Sequence, residues 1–413
     1  MESVFTKKGA LFFIVIRFLV SGIEEYMILP TAWIYIRSLD QDKGFVGFTL
    51  ASYGAAVVVF TPFLNKLVKK YRCPKIILLF CHVLRMCGNA LYSFSLSSYF
   101  TLIGRILCGI SAASDVLLLR EIARTTEERH RGKVFVLLDG IYTLGCALGP
   151  VFASILTFQF NIHTWQITPK NSPAFALAVT WLIVFLLTTF LPREFSRDED
   201  LSETQLVSSP SGVADEHGED PQKTAINKSQ ILCLLCYIFF IWLFACVTVY
   251  STPVLATELF KLKQFHINLL FGIALLFQLV LFLIYYILRD RLNERVLLLA
   301  ALLLQAIPLT IMGVFGVHWS ENSSYLLLVY VVCGTPLVAF TLSCSLLSKI
   351  IHPQLTGYYQ HLAYTSLHAA SVFGRILAAF FFAKSLLAWL ALQLGLLWVM
   401  ITLSYTVVFF MQY

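Results

Sequence analysis

Long apolar stretches separated by short polar loops run along almost the whole chain. A helix needs about 20 mostly apolar residues to cross the hydrocarbon core of a membrane, because each residue adds about 1.5 Å. Twelve stretches fit this requirement, and we predict a membrane-spanning helix in each. Numbered spans one to twelve, they cover approximately 10–36, 45–68, 76–96, 99–120, 132–158, 173–191, 230–256, 266–288, 296–317, 323–350, 356–382 and 388–411.

One polar segment, 192–229, interrupts this pattern near the middle of the chain. Its three prolines and two acidic runs are typical of a flexible linker. The flanking regions, 1–191 and 230–413, each hold six predicted spans, and each has a charged loop after its second span. The repetition predicts an all-α membrane protein built from two six-helix repeats, the arrangement of many secondary transporters.

Composition agrees with a membrane protein and excludes a large soluble domain. Of the 413 residues 58% are hydrophobic and only 13% are charged, whereas soluble domains average about 25% charged residues. The net charge of +7 comes from basic residues that border apolar segments, so we predict no nucleic-acid partner. The bilayer is the expected surrounding, and we expect a monomer.

The distribution of basic residues predicts the orientation. Loops on the side that holds the N-terminus carry 20 of the 30 Lys and Arg residues, and loops on the other side carry six. Because cytoplasmic loops are enriched in these residues, we predict that both termini and the linker are cytoplasmic. The sequence Asn322-Ser323-Ser324 then lies on the opposite side, where Asn322 is a candidate glycosylation site.

Two motifs carry a family resemblance. Span four holds Arg105-x-x-x-Gly109, and span five holds Gly145-x-x-x-Gly149-Pro150. With two six-span halves and charged loops after spans two and eight, they resemble the major facilitator superfamily. The resemblance implies the major facilitator fold, with spans one, four, seven and ten lining a central path. It also links the span-five motif to antiport gating, although helix packing and bending would explain that motif equally well.

Shorter segments resemble one branch of that superfamily, the branch of lysosomal ceroid-lipofuscinosis membrane proteins. The segments are Asn293-Glu294-Arg295-Val296-Leu297-Leu298, Ser348-Lys349-Ile350, Gly357-Tyr358-Tyr359 and Gly374-Arg375-Ile376-Leu377. This second resemblance implies a lysosomal or late-endosomal membrane and an anion, chloride, as the transported species.

Span one carries three charged residues: Arg17, Glu24 and Glu25. At 100° per residue, Arg17 and Glu24 lie about 20° apart on the helix and share a face. One interpretation is a structural ion pair near the middle of the membrane. The other is that Glu24 or Glu25 binds a proton or cation, since intramembrane carboxylates commonly serve transport.

Three charged residues of spans four and five are further candidates. Arg105 is a candidate to bind an anionic substrate, because an arginine inside a membrane is costly and is usually functional. Asp115 and Asp139 lie nearer the predicted cytoplasmic end. For them we predict a gating role, with loop cations such as Arg72 or Arg131 as partners.

Span eleven shows the clearest polar stripe. His361, His368 and Arg375 repeat every seven residues and lie on one broad face of the helix. Such a face points to a partner helix or an aqueous path rather than to lipid, and histidines titrate near lysosomal pH. In contrast, we predict that His82 and Arg85 of span three are structural, because the resemblance places this span at the periphery.

These residues favour a transporter and leave two alternatives. Arg17, Arg105 and Arg375 give the predicted path a positive bias, which favours a small anion as substrate. We predict alternating access, an anion channel on the same scaffold being the first alternative and a non-transporting receptor or scaffold the second. The sequence holds no catalytic, phosphate-binding or metal-spaced motif in a soluble region, so we predict no enzyme activity, cofactor or metal.

Overall fold

The structure is a computed structural model. It describes residues 2–71, 74–115, 118, 128–190, 221–288, 291, 293–317, 324–335, 337–351, 356–381 and 384–411.

Helices cover each of the twelve predicted spans, and the fold is almost entirely α-helical. Spans one to six are Glu2–Arg37, Lys43–Tyr71, Pro74–Tyr92, Ser98–Ala112, Glu128–Ile155 and Ser172–Thr189. Spans seven and eight are Pro221–Glu258 and Gln264–Leu288, and span nine consists of Glu294–Leu304 and Ala306–Val317. Span ten consists of Ser324–Gly334 and Leu337–Ile350, span eleven is Thr356–Phe381, and span twelve is Lys384–Thr406, which continues as a π-helical turn over Val407–Met411.

Three features differ from the predicted boundaries. The helix of span seven begins at Pro221, so the last nine residues of the predicted linker are helical. Spans nine and ten are each broken into two helices. Between spans five and six, β1 (Phe160–Ile162) and β2 (Trp165–Ile167) form an antiparallel hairpin that the apolar pattern did not indicate, because each strand has only three residues.

Nine helical segments within the described residues are long and apolar enough to cross a membrane. Spans one, four and eleven are not among them. The helix of span four, Ser98–Ala112, is apolar but only 15 residues long. Spans one and eleven carry several of the charged and polar residues singled out above, and Arg17, Glu24 and Arg375 of these spans are buried among other helices.

The helices pack as two groups of six that meet along two seams. Span one packs on span five, and span seven packs on span eleven in the corresponding way. The seams pair span two with span eleven and span five with span eight. Glycines allow close approach between spans one and five and between spans two and eleven: a Cβ on Gly145 or Gly149 would meet the backbone of span one, and one on Gly54 would meet the His368 carbonyl of span eleven. The close contact predicted from the span-five glycines is therefore confirmed.

Candidate functional site

Glu24 of span one lies at the centre of a network of donors from three other spans. Its Oε2 accepts hydrogen bonds from Arg85 Nε at 2.6 Å and Trp181 Nε1 at 2.7 Å, and its Oε1 accepts one from Asn89 Nδ2 at 3.1 Å. Arg105 Nη2 lies 3.5 Å from the same Oε1. The carboxylate is 1% exposed and both oxygens are occupied, so the spans are joined where a lone carboxylate would be very costly.

The shared helix face suggested an ion pair between Arg17 and Glu24, but the two side chains do not pair directly. Arg17 Nη2 lies 2.5 Å from Asp115 Oδ1 of span four, and Arg17 Nε donates to His82 Nε2 of span three at 3.1 Å. The prediction failed because interhelical partners, which a helical wheel does not show, bind each charge. Asp115 therefore has a partner inside the bundle, while Arg72 and the side chain of Arg131, its predicted partners, lie outside the described part of the chain.

Span three contributes more than the sequence suggested. The guanidinium of Arg85 lies 4.3 Å from the Trp181 ring centre and that of Arg17 lies 4.7 Å from it, and the His82 ring stacks on the same indole. A cation over an indole face is stabilised by the ring quadrupole. His82, Arg85 and Asn89 follow a helical spacing of three and four, a signal that could have placed span three in the site. Trp181 had no such signal.

Glu25 and Arg375 connect the first six spans to the last six. Arg375 Nη2 of span eleven lies 3.5 Å from Glu25 Oε1, and Arg375 Nη1 donates to the Leu50 carbonyl of span two at 2.7 Å. The other carboxylate oxygen of Glu25 accepts a hydrogen bond from the Tyr142 hydroxyl of span five. At 3.5 Å the ion pair is longer than a charge-assisted hydrogen bond.

The polar stripe of span eleven faces span two rather than lipid, as predicted. His361 Nε2 lies 3.1 Å from Asn65 Nδ2 of span two. His368 is buried, and its ring contacts those of Tyr364 and Tyr53, at centroid distances of 4.5 and 6.4 Å. Its Nε2 has no hydrogen-bond partner among the described residues. The stripe thus lies along a seam between the two groups of helices.

A cavity lies where these residues meet. Its charged lining consists of Glu24, Glu25, Arg105 and Arg375, and its remaining lining consists of Ile28, Leu29, Leu50 and Tyr53. Arg105 is 4% exposed, and its Nε has no hydrogen-bond partner within the part of the chain that the structure describes. The cavity therefore holds a buried cationic group with an unused donor, next to an apolar wall.

Beyond this cavity, the path is closed at the end where span one finishes. Trp33 Nε1 of span one donates to Thr257 Oγ1 of span seven at 2.9 Å. Lys43 Nζ of span two lies 2.5 Å from Glu258 Oε2, and the Tyr250 hydroxyl donates to the Lys43 carbonyl at 2.5 Å. These contacts join the first six spans to span seven over a continuous layer of buried apolar side chains.

The other predicted site residues are separate from the cavity or outside the described residues. Asp139 lies partly buried on span five, and no ion pair links it to a described side chain. Pro150 is buried in the same helix, beside the close contact of Gly145 and Gly149 with span one. Asn322 lies outside the described residues. Within them, no cluster of three His, Cys, Asp or Glu side chains could hold a metal ion.

Comparison with known proteins decides the family. The chain matches the Major Facilitator Superfamily over residues 14–375, which includes every charged residue of the cavity. The chain belongs to the major facilitator superfamily. It is therefore an integral, multi-pass membrane protein of a transporter superfamily, while the narrower branch indicated by the short segments stays a prediction.

Individual relatives match only in part. An SPX domain-containing membrane protein of Arabidopsis thaliana is 28% identical over 209 residues, which cover 49% of this chain and 29% of the plant protein. The class B tetracycline resistance protein of Escherichia coli is 28% identical over 180 residues, covering 43% of this chain and 42% of the bacterial protein. The chain thus matches less than half the length of each.

Solved structures match over almost the full length. The nucleoside transporter NupG has a TM-score of 0.68 at 13% identity, with 98% of this chain and 99% of NupG covered. The human organic anion transporter MFSD10 has a TM-score of 0.64 at 15% identity, with 96% of this chain and 99% of that chain covered. At these identities the similarity shows the fold.

Proposed function

We propose that this protein moves a small anion across a lysosomal or endosomal membrane by alternating access. The observation that carries the proposal is the cavity in which Arg105 of the first six spans and Arg375 of the last six are both exposed to the same space. A substrate that bridges these two cations would join the two groups of helices. Rocking of one group against the other around such a site is how transporters with this repeat move their solutes.

The closed end of the path favours a carrier over a channel. A conducting channel needs a path that is open at both ends at the same time. Here Trp33, Lys43 and their partners on span seven close one end beyond the cavity. A carrier is closed at one end or the other throughout its transport cycle.

The buried charges also argue against a receptor or scaffold without transport. Each charge inside a membrane is costly, and a purely structural network gives no reason for a charged side chain to line a cavity. Arg105 Nε is buried and unpartnered among the described residues, and it belongs to a side chain that lines the cavity. This is the arrangement expected of a binding site.

We further propose Glu25 as the proton-coupling group, and Glu24 as a structural one. Three donors, Arg85, Asn89 and Trp181, occupy both oxygens of Glu24 and tie it into the fold. Glu25 has a side chain that is 27% exposed, and the charged group that faces it is Arg375, beside the hydroxyl of Tyr142. Protonation of Glu25 would release Arg375 for an anion, which would link proton and anion movement.

The lysosomal setting rests on the short segments that resemble one branch of the superfamily. The predicted cytoplasmic termini place the closed end of the path on the lumenal side. Lumenal acid could then reach Glu25 only after this end opens.

The test is flux into proteoliposomes that hold the purified protein, with chloride or a small carboxylate outside and a pH gradient imposed or absent. The proposal predicts uptake that saturates with anion concentration and that is accompanied by proton movement. Electrogenic chloride flux that neither saturates nor needs a proton would instead establish the channel. Absence of any anion flux, with other solutes transported, would contradict the anion assignment.

A further inference from the structure

We infer that Asn89 of span three is a positioning residue, which holds the Arg105 guanidinium apart from Glu24 and so keeps its charge available to the cavity. The inference rests on the proposed function, in which Arg105 contacts the transported anion. It adds a residue that is not part of the cavity lining. It follows from the hydrogen bonds among these three side chains and from the chemistry of an amide.

Asn89 lies between two opposite charges. It is fully buried, its Oδ1 accepts a hydrogen bond from Arg105 Nη2 at 2.8 Å, and its Nδ2 donates one to Glu24 Oε1 at 3.1 Å. Arg105 Nη2 and Glu24 Oε1 themselves are 3.5 Å apart, whereas a direct hydrogen bond between a guanidinium and a carboxylate is about 2.7–2.9 Å long. The amide thus replaces the direct bond between the two charged groups.

The two partners fix the orientation of the amide. A carboxylate can only accept hydrogen bonds and a guanidinium can only donate them. The Asn89 oxygen must therefore face Arg105, and the Asn89 nitrogen must face Glu24. The same nitrogen also donates to the Arg85 carbonyl, one turn earlier in span three, at 3.0 Å. This third bond holds the amide on its own helix.

Cys108 of span four acts on the same nitrogen of Arg105. Arg105 Nη2 donates to the Cys108 sulfur at 3.3 Å, so neutral acceptors take both of its hydrogens. Arg105 Nε, in contrast, is buried without a partner among the described residues, and the side chain lines the cavity. Asn89 and Cys108 therefore fix one nitrogen of the guanidinium and leave another for a ligand.

Removing the amide should let Arg105 bond directly to Glu24. Oε2 of Glu24 already accepts from Arg85 and Trp181, so Oε1 is the oxygen that loss of Asn89 would leave for Arg105. A movement of about 1 Å or less would close this charge-assisted bond. Glu24 would then offset the Arg105 charge, and an anion in the cavity would bind more weakly.

The first test is anion uptake by Asn89→Leu, which removes the amide and keeps a side chain of similar size. We expect the KM for the anion to rise about tenfold or more, as for one lost hydrogen bond to a charged group. The maximal rate per folded protein should change little, because the cavity and the gates are intact. An unchanged KM would overturn the inference.

Asn89→Asp gives a more specific test. When protonated, the new side chain has the donor and acceptor pattern of asparagine, since its hydroxyl can donate to Glu24 and its carbonyl can accept from Arg105. When ionised, it sets a second carboxylate against Glu24 and gives Arg105 an anionic partner. Relative to the native protein at the same pH, its KM should be near normal in acid and should rise with pH. A KM ratio independent of pH would contradict the orientation of the amide.

The surroundings of this pair support the expected direction. Span six contributes the neutral indole of Trp181. The charged and titratable groups come from spans two, three and four and are Tyr53, Arg85, Tyr92, Arg105 and Cys108. The arginines stay charged at every pH of the test. Two adjacent carboxylates resist ionising together, so the proton that titrates is the one that the new aspartate shares with Glu24.

An infrared measurement on the purified protein reads the same arrangement without transport. The spectrum of Asn89→Asp minus that of the native protein should show, in acid, the carbonyl stretch of one added carboxylic acid. This band should decline as the pH rises, because the shared proton is lost. Absence of the band in acid would mean that the residue at position 89 does not contact Glu24, which would overturn the inference.

Asn171→Leu is the matched control. Asn171 is also fully buried, and its amide donates to the Ser93 and Gln166 carbonyls at 2.7 and 2.9 Å. Because these partners are backbone groups, its loss should lower the unfolding temperature and leave the KM unchanged. An equal rise of KM in Asn171→Leu and Asn89→Leu would show that any lost buried amide has this effect, and would overturn the positioning role.

The outcomes also separate this inference from the proposed function. Native anion uptake with the same KM in Asn89→Leu would leave the transport proposal standing and overturn the role of Asn89. Absence of anion uptake by the native protein would overturn the transport proposal, while the infrared band would still decide whether Asn89 separates the two charges.

Discussion

The first six spans and the last six hold their interiors together by different chemistry. In the first six, Arg17, Glu24, Arg85 and Arg105 are all nearly fully buried and joined by ion pairs. In the last six, the described charged side chains that are comparably buried are Glu294 and Arg375. The rest of that interior uses neutral groups, of which the 2.7 Å contact between the Ser251 and Tyr330 hydroxyls is typical.

The breaks in spans nine and ten belong to this neutral interior. The amides of Gln278 and Gln305 donate to the Val332 and Cys333 carbonyls, at 3.1 and 3.3 Å. These carbonyls lie in the last turn of Ser324–Gly334, where helical carbonyls lack intrahelical partners. The comparison teaches that the first six spans supply most of the buried charge. The last six supply a mainly neutral interior with two broken helices, and Arg375 of span eleven adds a cation to it.

The largest expected effect is the loss of stability when Glu24 is replaced. Without such a loss, the contrast between a charged and a neutral group of spans would not hold. Glu24→Gln removes the carboxylate that Arg85 and Arg105 share, and loss of one partner of a buried ion pair costs about 3–5 kcal/mol. The loss of stability is measured by thermal unfolding of the native protein and the variant in nanodiscs. The matched control is Tyr330→Phe, which removes a neutral hydrogen bond worth about 0.5–1.5 kcal/mol. Equal losses in the two variants would show that charge is not what distinguishes the first six spans.

The next effect is on transport. Arg375→Ala should lower the anion uptake rate by about 30-fold or more, because losing a buried charge contact costs about 2–5 kcal/mol and 1.4 kcal/mol is tenfold. Uptake is normalised to the amount of folded protein in the vesicles. Arg375→Lys, which keeps the charge, should retain part of the activity. Normal uptake by Arg375→Ala would remove span eleven from the mechanism.

A third prediction concerns pH. If Glu25 carries the coupled proton, native uptake rises as the pH on the anion side falls, because protonation frees Arg375. Glu25→Gln cannot ionise and should make the rate nearly independent of pH. A steep pH response that survives in this variant would move the assignment to His361 and His368 of span eleven.

The smallest effect concerns the closed end. Lys43 and Glu258 are both about one-third exposed, so their ion pair is worth about 0.2–1 kcal/mol. Lys43→Glu should therefore shift the balance toward the state open at this end by only about fivefold or less. The measure is labelling of a cysteine placed at Thr257, and the exchanged pair Lys43→Glu with Glu258→Lys should restore the native labelling rate. No restoration would mean that the two residues do not act as a pair.

The fold could be predicted from the sequence far better than the site could. Twelve spans follow from apolar length, and close packing at span five follows from its glycines, because both properties are local. The partners of Arg17 and Glu24 are not local: Asp115 and Trp181 lie 98 and 157 residues further along the chain. For the same reason the sequence did not show that Arg85, on a span predicted to be peripheral, pairs with Glu24 at the centre of the network; its structural role stays a prediction.

Arg105 and Arg375 were identified correctly as buried charges, because an arginine in an apolar span is informative without knowledge of its neighbours. The sequence did not identify the apolar wall of the cavity, because Ile28, Leu29 and Leu50 resemble the other apolar residues of a membrane span. Only the packing of span two against spans one, four and eleven brings this wall and the two arginines together.

Counterflow tests the central claim of alternating access around an anion site most directly. Vesicles are loaded with an unlabelled small carboxylate or with chloride and diluted into a trace of the same labelled anion, with equal pH and voltage on both sides. The account predicts a transient accumulation of label above equilibrium in the native protein and none in Arg375→Ala. Simple equilibration without this overshoot, at the same rate in both proteins, would contradict it.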